Sequence, residues 1–119
     1  MAPSKLEEEA SIHVTNNSEE ELKMSIYVCV LKPTPDGNKE IKKSRERFEN
    51  GKKAVEQAGG KVLGAHYVVA KGEYLIITEF PTEEARVRSM INTLQRGTVT
   101  YEVYKALPVD EFFKMVDEA

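Results

Sequence analysis

Four side chains in apolar stretches of this 119-residue sequence have the chemistry of a small-molecule site: His66, Glu79, Tyr27 and Tyr104. An imidazole changes charge near neutral pH, so His66 could deprotonate or orient a bound molecule. A carboxylate such as Glu79, between apolar neighbours, could act as an acid or a base. Tyrosine hydroxyls could hydrogen-bond to the same ligand. These four residues are the predicted ligand-binding set, and His66 and Glu79 are the catalytic candidates.

Each candidate also has a purely structural explanation. His66 could be a hydrogen-bonded histidine without a ligand, Glu79 could form a salt bridge at the rim of the site, and Tyr27, Tyr74 and Tyr104 could pack in an interface with a polar tip. One histidine and one carboxylate supply too few ligands for a structural metal site, so no metal is expected.

Several kinds of chemistry have no signature in the chain. It contains no Cys/His cluster, nucleophile elbow or nucleotide fingerprint, so no cofactor is expected. The stretch "KEIKKSRERF", residues 39–48, is basic, but its glutamates alternate with the basic residues as on a solvated helix face. "DGNK" lacks the spacing of a phosphate loop. Whether the chain is an enzyme stays open at this point.

Charge and composition predict a single domain of ordinary soluble type. The net charge is −3, of which residues 1–23 carry −4 and the remainder +1, so no nucleic-acid partner is expected. No run is apolar enough to span a bilayer and the first residues resemble no secretory signal, so no membrane association is expected. The only cysteine, Cys29, lies in an apolar run and is expected to be buried. Cytoplasmic location is the resulting expectation.

Residues 1–23 form an acidic N-terminal extension with too few apolar residues to build a core. We expect a flexible tail or an arm that docks on a protein partner. The segment "SIHVT" within it alternates enough to add a strand to an exposed sheet edge. The domain is predicted to cover 24–119.

The rest of the chain predicts the order β-α-β-β-α-β plus a short terminal helix. Pro and Gly end the first strand, where Thr34 or Asp36 could cap a helix that runs to about Ala58, with a break or second cap at Ser44. Thr82 and Asp110 are the predicted caps of the later helices. The predicted strands are 25–32, 61–69, 74–80 and 98–107.

This order is the ferredoxin-like plan, an α+β fold with a four-stranded antiparallel sheet. Two helices cover only one face of such a sheet, yet the strands 25–32 and 74–80 are apolar on both faces. Each large side chain is worth roughly 1.5–3 kcal/mol when buried, so a second sheet should cover the other face. Self-association through that face is therefore predicted.

Strand alternation places His66 with Val62 and Val68, opposite Leu63, Ala65 and Val69. If the helices cover the second set, then His66 borders the space between the two sheets. Glu79 is the expected acidic neighbour of His66 there. A small ligand would occupy this space, because pockets form where a few polar groups converge among apolar ones.

The sequence resembles the GYD-domain family, within the larger group of dimeric α/β-barrel proteins, over about 24–116. The resemblance rests on motifs that occur in the family's order: "YVCVLK", Thr34, Gly37, Ile41–Lys42, Ser44, Glu46–Arg47, "AGGKV", "PTEEA", Gly97–Thr98–Val99 and "KALPVDEF". It implies a ferredoxin-like fold and a homo-oligomer more than a reaction.

The hairpin that names the family departs from its Gly-x-Tyr-Asp pattern. In "GEYL", Leu75 stands in place of the acid. Counted from the Gly-Gly pair and from Pro81, "AKGE" occupies the expected position instead, with Glu73 in place of the Asp and no tyrosine.

Two functional hypotheses follow from these patterns. The first is a non-catalytic homo-oligomeric module, or an accessory subunit of a larger complex, with a small molecule between its sheets. The alternative is a small cofactor-free enzyme of the monooxygenase or isomerase type, which would use His66, Glu79 and a tyrosine in the same cavity.

Overall fold

The computed structural model describes residues 24–119 and shows an α+β domain built on one antiparallel sheet. Its strands are Ser25–Pro33 (β1), Lys61–Val68 (β2), Glu73–Phe80 (β3) and Val99–Ala106 (β4). They lie in the order β2-β3-β1-β4, so β1 and β3 occupy the centre of the sheet as the sequence predicts.

Four α-helices connect or follow these strands within the described residues. They are Pro35–Lys39 (α1), Ser44–Gln57 (α2), Glu83–Gln95 (α3) and Val109–Glu118 (α4), and a 3₁₀ turn spans Ile41–Lys43. The predicted break at Ser44 is confirmed, since α2 begins there. The Ser44 hydroxyl does not cap α2 but donates to the Ile41 carbonyl at 2.6 Å.

Two predicted helix caps are confirmed and one is wrong. The Thr34 hydroxyl accepts a hydrogen bond from the Gly37 amide at 3.1 Å, and the Thr82 hydroxyl accepts one from Ala85 at 3.0 Å. The prediction for Asp110 fails because α4 begins two residues earlier, at Val109 after Pro108, and Asp110 lies inside its first turn.

The hydrophobic core lies between the sheet and the helices α2 and α3. Tyr27, Cys29 and Phe80 of the central strands are buried there against Val55 of α2. Burial of Cys29 confirms its prediction as a small buried hydrophobe. The helix-facing side of the sheet is therefore the packed side.

A β-bulge in β2 changes which residues face the core. Val62 pairs with Thr78 and Gly64 pairs with Ile77, so Leu63 is an extra residue between them. The bulge puts Val62 on the core side and leaves Leu63 45% exposed. The predicted grouping of Val62 with His66 is wrong for this reason.

The last helix, α4, presents an apolar surface to solvent. Its exposed apolar side chains are Val109, Phe112, Phe113, Met115 and Val116. Within 24–119, no helix has the length and apolar character needed to cross a membrane. The predicted N-terminal extension, 1–23, lies outside the described residues.

Candidate functional site

The sheet face that points away from the helices, called the open face here, has an apolar centre. Strand register places Leu75 opposite Val30 and Ile77 opposite Val28, and Ile26 continues the row along β1. All five side chains are only partly buried in the single chain, whereas the fully buried strand residues face the helices. The predicted two-sided apolar character of β1 and β3 is thus present in the fold.

Charged side chains flank this apolar centre. Lys32 Nζ lies 2.7 Å from a Glu102 carboxylate oxygen, and the Tyr104 hydroxyl donates to the other oxygen at 3.0 Å. The hydrogen bond from Lys32 lowers the pKa of Glu102, and the same bond raises the pKa of Lys32. Tyr104 is thereby held at the rim of the open face by its acidic neighbour.

His66 and Glu79 both lie on the open face, but far apart. His66 pairs with Leu75, and Glu79 is four residues further along β3, about 13 Å in an extended strand. The prediction that Glu79 is the acidic neighbour of His66 is therefore not met within one chain. By register, the carboxylate diagonally adjacent to His66 is Glu73, at roughly 7 Å.

Tyr27 lies on the opposite side of the sheet from these residues. It pairs with Thr78 and is 3% exposed beneath α3, because the register of β1 alternates it with Val28. Tyr74 also belongs to the helix side, where it packs edge-on against Tyr67 with ring centroids 5.2 Å apart. The predicted placement of Tyr27 beside His66 and Tyr104 is wrong.

Tyr27 belongs instead to a polar cluster under α3. Its hydroxyl donates to Glu83 Oε1 at 2.7 Å, and Arg86 stacks over its ring at 5.2 Å from the centroid. Arg86 in turn donates from Nε and Nη2 to Glu83 Oε2 at 3.1 and 2.6 Å. Burial, and then the bond to Glu83, raise the pKa of Tyr27, while Arg86 is the main cause that lowers the pKa of Glu83.

A cavity of about 120 Å³ lies on the same side, between the sheet and the helices. We call it the helix-side cavity; Thr78 and Cys29 line it from the sheet, and Gly51 and Met90 from α2 and α3. His66, Glu79 and Tyr104 do not line it. Sequence reasoning missed this space, although a glycine in the middle of the apolar face of α2 was a signal for it.

Metal ligands do not cluster in the part of the chain described, 24–119, where no three His, Cys, Asp or Glu side chains could hold one ion together.

Comparison with protein-family models gives a match over most of this chain. The model of the GYD domain matches residues 27–116. The chain belongs to the GYD domain family. No curated protein and no solved structure gives a significant match to this GYD domain.

The hairpin between β2 and β3 is where this GYD domain departs from the pattern of the family name. Gly72 adopts a left-handed backbone with φ 65°, which suits glycine, and Glu73 begins β3 opposite Val68. Glu73 shares the open face with Leu75, two residues on. Both residues that could stand in place of the family's acid therefore lie on this face.

Proposed function

We propose that this GYD domain is a non-catalytic homo-oligomeric module. Two copies of its ferredoxin-like sheet would pack open face to open face, as a dimeric α/β barrel. The observation that supports this most strongly is the unpartnered apolar centre of Ile26, Val28, Val30, Leu75 and Ile77 on the two central strands.

The gain from covering that centre is large. Each such side chain is worth roughly 1.5–3 kcal/mol when it moves from full exposure to full burial. The five are already partly buried in the single chain, so the gain for each is smaller. Their sum still reaches several kcal/mol, which can offset the loss of freedom on association.

The polar rim suits pairing between identical copies. It carries both signs of charge, with Lys32 and Lys61 among Glu73, Glu79 and Glu102. A two-fold axis brings the same patch of each copy onto the other, so a mixed-charge rim can form complementary pairs across the interface.

A small molecule bound between the two sheets is part of this proposal. His66, Tyr104 and Glu79 border the open face and would surround such a ligand, with His66 orienting it. The module could also be an accessory subunit of a larger assembly, with residues 1–23 as the arm that contacts a protein partner.

The enzymatic alternative has less support from the geometry. Acid–base catalysis needs two groups within reach of one substrate. His66 and Glu79 are about 13 Å apart along the strand direction, so a catalytic pair would have to form between copies.

The test of the proposal replaces Ile77 with lysine at the centre of the open face. Ile77→Lys should convert the oligomer to a monomer or to aggregates, because a buried unpaired ammonium group opposes association. Leu94→Lys is the matched control, since Leu94 is an exposed apolar residue of α3 on the other side of the sheet.

Light scattering coupled to size exclusion measures the mass of both variants. The proposal expects the parent mass for Leu94→Lys and a loss of that mass for Ile77→Lys. A parent protein that is monomeric, or an Ile77→Lys variant that keeps both the parent mass and solubility, would overturn it.

A further inference from the structure

The helix-side cavity has the size and lining of a site for a one-ring molecule. Its volume is about 120 Å³, and apolar side chains such as Phe48, Val55 and Ile76 make up much of its wall. An apolar protein cavity of about 150 Å³ holds a benzene-sized molecule. Exposed residues such as Asn38 and Lys52 also line it, so the cavity reaches the surface.

One wall of the cavity carries a hydroxyl group without a partner. Thr78 is 4% exposed and is the one buried polar side chain among the described residues. Its Oγ1 has no hydrogen-bond partner within 24–119. Such a buried, unpaired hydroxyl costs about 1–3 kcal/mol relative to a paired one, so a ligand atom that pairs with it would be favoured.

The Cys29 thiol beside Thr78 does not satisfy this hydroxyl. Burial raises the pKa of Cys29, and the nearby Thr78 and Arg86 only partly offset that effect. Thr78 lies close enough to lower that pKa, but a thiol is a weak hydrogen-bond partner, and within 24–119 nothing satisfies Thr78 Oγ1. The hydroxyl is therefore free to donate into the cavity.

Arg86 supplies a second donor on the cavity wall. Its side chain is 13% exposed, and its Nε and Nη2 are occupied by Glu83. Among residues 24–119, its Nη1 donates only to the Met90 thioether, at 3.8 Å. A thioether is a weak acceptor, so Nη1 can still donate to a ligand.

The charge of Arg86 is already compensated. Glu83 forms a two-point ion pair with it, so the guanidinium adds little net positive charge to the cavity. A carboxylate ligand would have to compete with Glu83 and leave water at a cost of its own. A neutral acceptor such as a phenol or carbonyl oxygen avoids both penalties.

We propose that the helix-side cavity binds a small, uncharged, one-ring apolar compound whose single oxygen pairs with the Thr78 hydroxyl. The ring occupies the apolar wall between the sheet and α2, and the oxygen points toward Thr78 and Arg86. This site lies on the opposite side of the sheet from the open face, and it does not depend on dimer formation.

The chain provides its own reporter for this test. Cys29 is the only cysteine and lines the cavity, so the rate at which the small neutral reagent methyl methanethiosulfonate modifies it reports access to the cavity. The full-length protein is treated with phenol, toluene or benzoate as probes, and binding is measured by protection of Cys29 in mass spectrometry and by saturation-transfer NMR.

Four variants separate the contributions of the hydroxyl and of the cavity volume. Thr78→Val removes the hydroxyl at nearly constant shape, and Thr78→Ser keeps it. Gly51→Leu adds a side chain at a residue that lines the cavity, and no atom lies within 4 Å of the new Cβ to block it. Gly51→Ala is its control, since it shares the gain in helix propensity and adds only one methyl group.

In the parent protein, phenol should bind about threefold to tenfold more tightly than toluene, as one neutral hydrogen bond allows, and benzoate should bind most weakly. Thr78→Val should remove the preference for phenol, and Thr78→Ser should retain it. Gly51→Leu should lose protection by both neutral probes, while Gly51→Ala keeps it.

Several results would overturn the proposal. One is equal binding of phenol and toluene in the parent, which would mean that the Thr78 hydroxyl contributes nothing. Another is binding of neither compound, which would mean that the cavity holds only water. A third is unchanged protection in Gly51→Leu, with circular dichroism confirming that this variant is folded. A fourth is benzoate binding as tightly as phenol.

Discussion

The Tyr27 hydroxyl donates to Glu83 Oε1 at 2.7 Å, which joins the central strand β1 to the first turn of α3. This bond connects the sheet to the helix layer at the point where Arg86 also stacks on the Tyr27 ring. It makes the stability of the domain depend on the ionisation of one surface carboxylate.

The first prediction concerns how the stability of the domain changes as the pH falls. The pKa of Glu83 is lowered in the folded state from 4.5, chiefly by its hydrogen bond with Arg86 and then by that with Tyr27. Its contribution is therefore present above 4.5 and is lost as pH falls through the lower folded value. Glu83→Gln should lower the melting temperature at about pH 6, and the difference from the parent should shrink toward about pH 3.

Glu84→Gln is the control for that experiment. Glu84 pairs with Arg88 on the outer surface of α3, where both side chains are exposed, so its loss should change the melting temperature little. An equal and pH-independent effect of the two substitutions would contradict the role given to Glu83.

The second prediction compares two glycines of the first connection. A Cβ on Gly37 would lie 2.1 Å from the Thr98 carbonyl oxygen, which already accepts a bond from the Thr34 amide. Gly37→Ala should therefore lower the free energy of unfolding by about 2 kcal/mol or more. Gly51→Ala, in open space within α2, should raise it by about 0.5–1 kcal/mol. Urea denaturation measures both changes. A Gly37→Ala variant as stable as the parent would contradict the close approach of Gly37 to the Thr98 carbonyl.

The third prediction concerns the N-terminal extension. Residues 1–23 carry a net charge of −4 and few apolar side chains, so their removal should leave the melting temperature almost unchanged. Differential scanning calorimetry of both lengths of chain provides the measurement. A loss of about 10 °C would correspond to more than 1 kcal/mol and would mean that the extension belongs to the folded unit.

Local sequence signals predicted much of the fold because short-range physics determines them. Thr34 and Thr82 cap helices where their side chains can reach the first free amides, and the apolar runs of β1 and β3 require the centre of a sheet. The family resemblance read from the motifs is confirmed by the family match over 27–116.

The sites were harder to predict because they depend on register. The bulge at Leu63 reverses the faces of β2 upstream of it, and the only local signal for it is the neighbouring Gly64, since a glycine inside a strand often marks a bulge. The position of Tyr27 follows from its pairing with Thr78 across strands that are distant in sequence. The helix-side cavity arises from how α2 and α3 sit above the sheet, to which Gly51 gave the only local clue.

Contacts between copies at the open face are the most direct test of the proposed pairing. In a sample that mixes ¹³C-labelled and unlabelled full-length chains, filtered NOE spectra report only methyl contacts between different copies. The proposed packing predicts intermolecular contacts at Val28, Val30, Leu75 and Ile77, and none at Leu94 of α3. Intermolecular contacts confined to the helix side, or a monomeric protein with none at all, would contradict it.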